Sequence, residues 1–242
     1  MLLLEEIEVN KMEEQSLALS FGDSITYEVS NVALDYAELG LDALTKDGLL
    51  KEIPIVSTVV SLYRIGESIR EKHHVVKLIC FLNQFNEGII DEDKRQAYRY
   101  KFYSDKEFRS KELEYILVLV DRYISFDKPR MLAKLYLAYL DEKIIWEEFT
   151  MYAEVIDRFI LLDYKMLVSD ARQFIVKRNL GEETVLRLMA LGLVTEDREI
   201  SIHKVIAQKR GENKAVGQIW DESNTKKYKR TEFGQKLADL LR

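Results

Sequence analysis

The chain has 242 residues, of which 47% are hydrophobic and 32% charged, and its formal net charge is −6 at pH 7. This composition is typical of a folded globular protein with room for one large or two modest domains. Two prolines and ten glycines are few for this length and favour long helices. The single cysteine, Cys80, excludes an internal disulfide and suits a reducing, cytoplasmic compartment.

Residues 1–50 form an acidic N-terminal segment, with eleven acidic residues against two lysines. The opening Met-Leu-Leu-Leu is followed at once by acidic residues, so we do not expect a secretory signal. The short apolar pieces of this segment are compatible with a strand pair, a frayed helix or an arm that orders on a partner. We assign the segment to the helical domain that follows, either as part of it or as an arm on it.

The run from Ile53 to Tyr63 carries no charge. Pro54 fits the first turn of a helix, because its missing N–H costs nothing there. The run is too short to span a bilayer, so a buried core helix is the favoured interpretation. Contact with a membrane or with a partner groove is the alternative, and its candidate residues are Ile55, Val56, Val59, Val60 and Tyr63.

Helical periodicity predicts further helices in the domain that spans residues 51–165. One passes through Val75 and Leu82 and ends near Gly88. Three more, joined by short connections, are expected to pack as antiparallel neighbours and to form the hydrophobic centre. Their apolar positions are Leu113, Ile116, Leu117, Val120 and Ile124 in the first, Met131, Leu132, Leu135, Tyr136 and Tyr139 in the second, and Trp146, Phe149, Tyr152, Ile156, Phe159 and Ile160 in the third.

Residues 91–110 interleave basic residues with Tyr98, Tyr100, Phe102 and Tyr103. Such a pattern is compatible with stacking on single-stranded bases. Because acidic residues share the segment, we favour a helix pair whose aromatic side chains face the core.

The sequence lacks glycine-rich nucleotide loops, zinc-ligand spacing, a calcium loop and the nucleophile elbow of hydrolases. His73 and His74 point about 100° apart on a helix and are interpreted as a surface pair, the alternative being a lone base near Glu67 or Glu71. We therefore nominate no catalytic residue and expect no cofactor and no metal. These absences favour a non-enzymatic protein without excluding an unfamiliar enzyme.

The most informative pattern lies between residues 182 and 241. An amphipathic helix is predicted at its start, and Gly192 fits the left-handed residue that ends such a helix. Thr231 fits the N-cap of a last helix over Glu232–Leu241. The predicted apolar face of the first helix consists of Leu186, Met189, Ala190 and Leu193.

This order of helix, Leu-Gly-Leu-Val turn, polar segment and final helix resembles the winged-helix domains of prokaryotic proteins. The resemblance implies that residues 166–242 form a small α+β domain in which the helix before Gly192 corresponds to the recognition helix. The segment from about Glu199 to Tyr228 would then form the β-hairpin wing. The predicted fold is mainly α, with an N-terminal multi-helix domain followed by this winged-helix-like domain.

Residues 201–230 hold eight basic residues against three acidic ones, a local net charge of +5. Such residues would contact phosphates in a non-specific, salt-sensitive way. The implied recognition helix instead offers Glu182, Glu183 and a single Arg187, and acidic residues oppose contact with phosphates and base edges. The candidate nucleic-acid contacts are therefore Lys204, Lys209, Arg210, Lys214, Lys226, Lys227, Lys229 and Arg230.

These features favour a non-enzymatic, cytoplasmic binding or regulatory protein of bacterial type that acts through protein–protein contacts or self-association. The first alternative is a transcriptional regulator that contacts duplex DNA through a basic wing. The second is a membrane-active effector of a bacterial defence or toxin system that uses residues 53–63.

Overall fold

The computed structural model describes residues 19–20, 22–24, 54–55, 57–58, 69–88, 93, 96–97, 100, 103–169, 173–177, 182–197 and 225–242. The described part of the chain is mainly helical, as predicted, and includes a small antiparallel sheet. Its contacts divide the chain into two compact units, Met1–Asp157 and Arg158–Arg242. The domain limits drawn from the sequence at residues 50 and 165 stay predictions.

Four described helices build the core of the first unit: α1 (Ile69–Glu87), α2 (Lys106–Arg122), α3 (Asp127–Leu140) and α4 (Trp146–Arg158). Apolar residues of α1 recur at helical spacing, and α1 packs mainly against α3. The predicted end of α1 is confirmed, because Glu87 is its last residue and Gly88 follows as a turn. The buried residues of α1 include Val75, Leu78, Ile79 and Leu82.

The apolar face predicted for α2 is buried over most of its length but not at its end. Leu113, Ile116 and Val120 are fully buried. Ile124, in contrast, lies beyond the last residue of α2 and is 92% exposed, so its predicted place in the core is wrong. The helix stops at Arg122, two residues before the helical spacing would have brought Ile124 back to the buried side.

Aromatic rings join the helices of the first unit around Tyr136 of α3. Its ring centroid lies 6.2 Å from that of Phe85 on α1 and 5.6 Å from that of Phe149 on α4. The hydroxyl of Tyr136, which is fully buried, donates a 3.0 Å hydrogen bond to the buried carboxylate of Glu112. Tyr139 donates to the same carboxylate at 2.7 Å. A buried polar group is tolerated when its hydrogen bonds are satisfied, and these two bonds anchor Glu112 in the core.

The second unit is assembled in the order α5 (Leu161–Leu167), β1 (Gln173–Lys177), α6 (Glu182–Ala190), β2 (Val194–Glu196), β3 (Thr225–Arg230) and α7 (Glu232–Leu241). Its three strands pair in the order β1-β3-β2, and both pairings are antiparallel. Phe174 and Glu196 both lie opposite Tyr228 in the register. The core of this unit includes Val185, Leu188, Leu193, Tyr228 and Leu237.

A Schellman turn ends α6. Gly192 has φ +72, and its N–H donates to the carbonyl of Met189 at 2.9 Å. The N–H of Leu193 donates to the carbonyl of Leu188 at 2.9 Å. This pair of bonds defines the motif, and its left-handed position favours glycine. The role predicted for Gly192 is confirmed.

The start of α7 packs against the Schellman turn that ends α6. The hydroxyl of Thr231 accepts a 2.9 Å hydrogen bond from the N–H of Gly234, which confirms the predicted N-cap. That hydroxyl donates to the carbonyl of Gly192 at 2.6 Å, and the N–H of Thr231 donates to the carbonyl of Leu193 at 3.1 Å. Gly234 packs so closely on the backbone of Leu193 that no side chain fits between them. The first turn of α7 is therefore held directly against the end of α6.

Candidate functional site

The helix α6 buries one side and exposes the other. Val185 and Leu188 are fully buried, whereas Leu186 and Met189 are 56% and 37% exposed. Ala190 is exposed as well. The core face predicted from the sequence consists of Leu186, Met189, Ala190 and Leu193. The prediction is wrong for the first three residues, whereas Leu193 is buried as predicted.

The single basic residue of α6 is bound inside the second unit. Arg187 donates from Nε to Oδ2 of Asp163 at 2.7 Å and from Nη2 to Oδ1 at 2.6 Å. Asp163 belongs to α5 and is buried. The hydrogen bonds from Arg187 hold the pKa of Asp163 below its usual value, so the carboxylate is charged at neutral pH. A guanidinium that forms a bidentate pair with a buried carboxylate is poorly placed to contact phosphate.

We name the exposed side of α6 the α6 face. Successive helical residues are about 100° apart, which places its five residues within an arc of about 120°. Acidic residues occupy its first turn, and apolar residues occupy the remainder. The α6 face consists of Glu182, Glu183, Leu186, Met189 and Ala190.

The strand β3 carries four of the eight candidate phosphate contacts: Lys226, Lys227, Lys229 and Arg230. It is the central strand of the sheet, paired on one side with β1 and on the other with β2. Alternation along a strand puts Lys227 and Lys229 on one face of the sheet. Lys229 Nζ lies 3.6 Å from Oδ1 of the buried Asp197. These cations therefore lie within the sheet rather than at the tip of a hairpin.

Arg230 ties β3 to the end of α5. Its guanidinium donates to the carbonyl oxygens of Leu167, at 2.6 Å, and of Ser169, and to Oε1 of Gln235 at 3.2 Å. Leu167 is the last residue of α5, where carbonyl oxygens lack a helical N–H partner. The side chain of Lys226 and all of Lys204, Lys209, Arg210 and Lys214 lie outside the described residues.

Of the five candidate membrane-contact residues, the structure describes one, Ile55, and its side chain is buried. Ile55 is 0% exposed, and its N–H donates a 2.8 Å hydrogen bond to the hydroxyl of Ser24. This burial agrees with the favoured core interpretation at that position. Within the described part of the chain, no helix has both the length and the apolar character needed to cross a bilayer. The other candidates, Val56, Val59, Val60 and Tyr63, lie outside the described residues.

Two of the four aromatic residues considered for base stacking, Tyr100 and Tyr103, are described. Tyr100 and Tyr103 are exposed, so the prediction that they face the core is wrong. The hydroxyl of Tyr103 donates to the carboxylate of Asp23. Tyr98 and Phe102 lie outside the described residues.

Sequence reasoning missed a charged cluster between α1 and the end of α2. Arg70, His74 and Lys77 recur at helical spacing and converge on Asp121. Arg70 Nη2 donates to Asp121 Oδ2 at 2.8 Å, and Lys77 Nζ donates to the carbonyl oxygen of Asp121 at 2.6 Å. The spacing on α1 was visible in the sequence, but its partner lies more than forty residues further along the chain. The bond from the buried Lys77 satisfies a carbonyl at the end of α2, so the cluster fixes that end against α1.

The adjacent histidines have different surroundings. The side chain of His74 is only 16% exposed, and its Nδ1 lies 3.4 Å from Asp121 Oδ1. Burial lowers the pKa of His74 to about 4, so its imidazole is neutral at pH 7. His73 stacks on Phe126 with ring centroids 5.2 Å apart. The interpretation of both histidines as a surface pair is therefore wrong for His74, and the carboxylate beside it is Asp121.

Among the described residues, no group of three or more His, Cys, Asp or Glu side chains is arranged to hold a metal ion. The chain matches no known protein-family model, and no curated protein or solved structure is significantly similar to it.

Proposed function

We propose that the protein is a non-enzymatic binding or regulatory protein of the cytoplasm that acts through protein–protein contacts. The contacts would be made by the second unit, as a winged-helix-like module, and the α6 face would be their centre. The single observation that carries this proposal is the exposed apolar patch of α6 formed by Leu186, Met189 and Ala190.

Several features of the second unit support the winged-helix-like description. The Schellman turn after α6, the antiparallel pairing of β2 with β3 and the capped α7 support the arrangement that the sequence resemblance implies. One feature departs from it. A helix-turn-helix has two helices that end in the recognition helix, whereas the described residues between β1 and β2 contain the one helix α6.

The surface chemistry of α6 favours a protein partner over nucleic acid. Interface cores are depleted in charge and enriched in apolar residues, methionine included. The α6 face has that character over its second half, and its first turn carries Glu182 and Glu183, which repel phosphate. The cation that a nucleic-acid interface would need, Arg187, is engaged by Asp163.

The test compares full-length variants in the cells that make the protein. The double substitution Leu186→Glu/Met189→Glu introduces two charges at the centre of the proposed interface. We expect the partners recovered by quantitative affinity purification to fall at least tenfold, because a central apolar anchor carries much of the binding energy. Both positions are exposed, so the free energy of unfolding should change by no more than about 0.5 kcal/mol per site.

Ile124→Glu is the matched control, because it places the same charge at an exposed apolar residue of the first unit. Partners that persist with the Leu186→Glu/Met189→Glu variant and with the control alike would contradict the proposal. So would recovery of nucleic acid in place of a protein partner.

A further inference from the structure

We infer that the outer edge of β1 takes an extended, acidic segment of a partner protein as an additional strand of the sheet. The outer edge is the side of Gln173–Lys177 that faces away from β3. The inference goes beyond the proposed function, because it concerns main-chain groups of β1 and not the α6 face. The partner would continue the main-chain hydrogen bonding of the sheet, and an acidic residue at its centre would lie on the sheet face that carries Lys227.

The sheet leaves β1 with one neighbour. In the described part of the chain, β1 pairs with β3 alone, in a continuous register from Gln173↔Lys229 to Lys177↔Thr225. Successive residues of an antiparallel strand direct their N–H and C=O groups to opposite sides. Two or three of the five residues of β1 therefore direct both groups to the outer edge. A row of such groups is a template for the addition of a strand.

The two edge strands of the sheet differ in how well they could accept a further strand. β2 has only three residues, and short edge strands resist such additions. β1 has five residues, contains no proline, and pairs with β3 without a bulge. Its sequence, Gln-Phe-Ile-Val-Lys, has three strand-favouring apolar residues at its centre. The edge suited to strand addition is therefore that of β1.

The sign of the partner charge follows from the central strand. Lys227 of β3 lies opposite Ile175, the middle residue of β1. The buried Tyr228 marks the core face of the sheet, so Lys227 lies on the other face. Lys227 is half-buried and forms no ion pair with the described residues, whereas Lys229 lies 3.6 Å from Asp197.

An added strand would bring its own side chains over the same face as Lys227. Its backbone would lie two strand spacings, about 10 Å, from that of β3. A glutamate opposite Ile175 and the side chain of Lys227 can extend toward each other over this distance. Opposite charges favour the partner that carries them, and a basic strand would be disfavoured.

A second copy of this chain is a poorer occupant of the edge. A two-fold arrangement centred on Ile175 would place Ile175 of the other copy, and no acidic residue, opposite Ile175. Other registers would leave part of the strand unpaired. The two sheets would also meet with like charge, because β1 and β3 together contain no acidic residue. Their basic residues are Lys177, Lys226, Lys227, Lys229 and Arg230.

The probes are two fluorescein-labelled nine-residue peptides in which threonine alternates with valine. The central threonine is replaced by glutamate in one peptide and by lysine in the other. The alternation fixes which side of the peptide turns to the core face of the sheet. A five-residue strand offers a small contact, so an affinity of roughly 100 μM is expected in anisotropy titrations of the full-length protein at 100 mM salt. The glutamate peptide should bind about fivefold more tightly than the lysine peptide.

The main-chain hydrogen bonds are tested with two N-methylated forms of the glutamate peptide. One is methylated on the nitrogens of its third, fifth and seventh residues, and the other on those of its fourth and sixth. An added strand turns only one of these sets toward β1. We expect one form to lose at least tenfold in affinity and the other to stay within about twofold of the unmethylated peptide.

Hydrogen exchange of the full-length protein locates the bound peptide. Excess glutamate peptide should slow the exchange of two or three alternate amides within Gln173–Lys177. Lys227→Gln should reduce the preference for the glutamate peptide to about twofold or less, because it removes the cation that the central glutamate meets. The matched control, Lys165→Gln, removes an exposed cation of α5 in the same unit and should retain the preference.

Several results would overturn the inference. Equal affinities of the two methylated peptides would show that no strand is added. Equal affinity for the glutamate and lysine peptides, or an equal effect of Lys165→Gln and Lys227→Gln, would remove the acidic partner. A wild-type dimer that the glutamate peptide dissociates, measured by sedimentation, would assign the edge to a second copy.

The α6 variant separates this inference from the proposed function. Leu186→Glu/Met189→Glu should leave the affinity for the glutamate peptide unchanged, even where it removes partners in cells. A tenfold loss of peptide binding in that variant would place the peptide on the α6 face and overturn the inference.

Discussion

Two arginines of the second unit illustrate how residue context decides the use of a charge. Arg187 lies in the implied recognition helix, and Arg230 is the last of the candidate phosphate contacts in the basic segment 201–230. Arg187 instead forms a bidentate pair with Asp163, and Arg230 donates to the carbonyl oxygens of Leu167 and Ser169. The planar guanidinium suits both tasks, since it satisfies several acceptors in a fixed geometry. Each of these arginines therefore cross-links elements of its own unit.

Glycine at position 234 is required by a close approach of backbone to backbone. A Cβ there would lie 2.7 Å from the carbonyl carbon of Leu193 and 2.9 Å from its Cα. An alanine in a helix interior ordinarily stabilises by about 0.5–1 kcal/mol relative to glycine. For Gly234→Ala we expect the opposite, a loss of about 3 kcal/mol, because the backbone of Leu193 has to move. Urea unfolding measures the loss of stability. Hydrogen exchange of the amides in β3 and α7 shows where protection is lost.

Gly192→Ala is the comparison for this variant. A Cβ at Gly192 meets nothing within 4 Å, so only the cost of φ +72 remains. That cost is about 1–2 kcal/mol for an L side chain. A Gly234→Ala protein as stable as the wild type would show that α7 does not sit on Leu193 as described.

The side of α6 that faces inward differs from the side that the sequence pattern predicted. Hydrophobic spacing allowed two faces, because Val185 and Leu188 repeat at helical intervals as well as Leu186 and Met189. In the folded unit Val185 and Leu188 are buried with Leu193, Tyr228 and Leu237, Arg187 pairs with Asp163 of α5, and Leu186 and Met189 remain exposed. These contacts join residues far apart in the chain, which a local pattern does not contain.

The pairing of α5 with α6 should show a characteristic pH dependence. Asp163→Asn removes the charge that Arg187 binds, and we expect a loss of about 2 kcal/mol at pH 7. The folded pKa of Asp163 is lowered mainly by the hydrogen bonds from Arg187. The stabilisation by the Asp163–Arg187 pair is therefore complete above the ordinary aspartate pKa of about 4. It is lost as the pH falls through the lowered pKa that Asp163 has in the folded protein. The difference between wild type and variant should shrink below about pH 4, as measured by urea unfolding at several pH values.

Asp239→Asn provides the matched control, since Asp239 pairs with Arg242 in an exposed i,i+3 contact. Exposed pairs contribute at most about 1 kcal/mol, so this variant should differ little from wild type at any pH. A loss for Asp163→Asn that is no larger than that of the control would refute the structural role of the α5–α6 pair.

Sequence reasoning succeeded where the signal is local. The left-handed Gly192, the N-cap at Thr231 and the end of α1 near Gly88 each follow from a few neighbouring residues, and all three are confirmed. The mainly helical class followed in the same way from periodicity and from the few glycines and prolines. At the end of α3, which lies at Leu140, a comparable turn uses Glu142 with φ 58, so a residue other than glycine occupies the left-handed position.

The features that the sequence did not predict depend on contacts between residues far apart in the chain. The central position of β3 follows from its pairing with both β1 and β2, which a strand pattern alone does not specify. The cluster of Arg70, His74 and Lys77 around Asp121 joins α1 to α2 and has no local signature beyond the spacing on α1. Most residues of the candidate site make contacts of this kind, so their roles in the structure differ from those that the sequence predicted.

At the scale of the whole molecule, charge separates the protein-binding proposal from the DNA alternative. The chain carries a net charge of −6, whereas residues 201–230 carry a local net charge of +5. Two of the arginines available to a winged helix, Arg187 and Arg230, are engaged internally. We therefore expect full-length protein to bind a labelled 25-base-pair duplex more weakly than about 100 μM at 150 mM salt, the weak end of non-specific binding. Anisotropy titrations between 50 and 200 mM salt measure both the affinity and its salt dependence.

The same titration would favour the DNA alternative if it gave the opposite result. A regulator that neutralises several phosphates through a basic wing should lose affinity with a log–log salt slope of about −4 or steeper. That slope should flatten when three lysines of the basic segment are replaced, as Lys204→Glu/Lys209→Glu/Lys214→Glu. The matched control replaces the exposed Lys111, Lys143 and Lys165 by glutamate and changes the net charge equally. A steep slope that is lost only in the first variant would assign phosphate contacts to the segment between β2 and β3, whereas equal flattening in both would trace them to net charge alone.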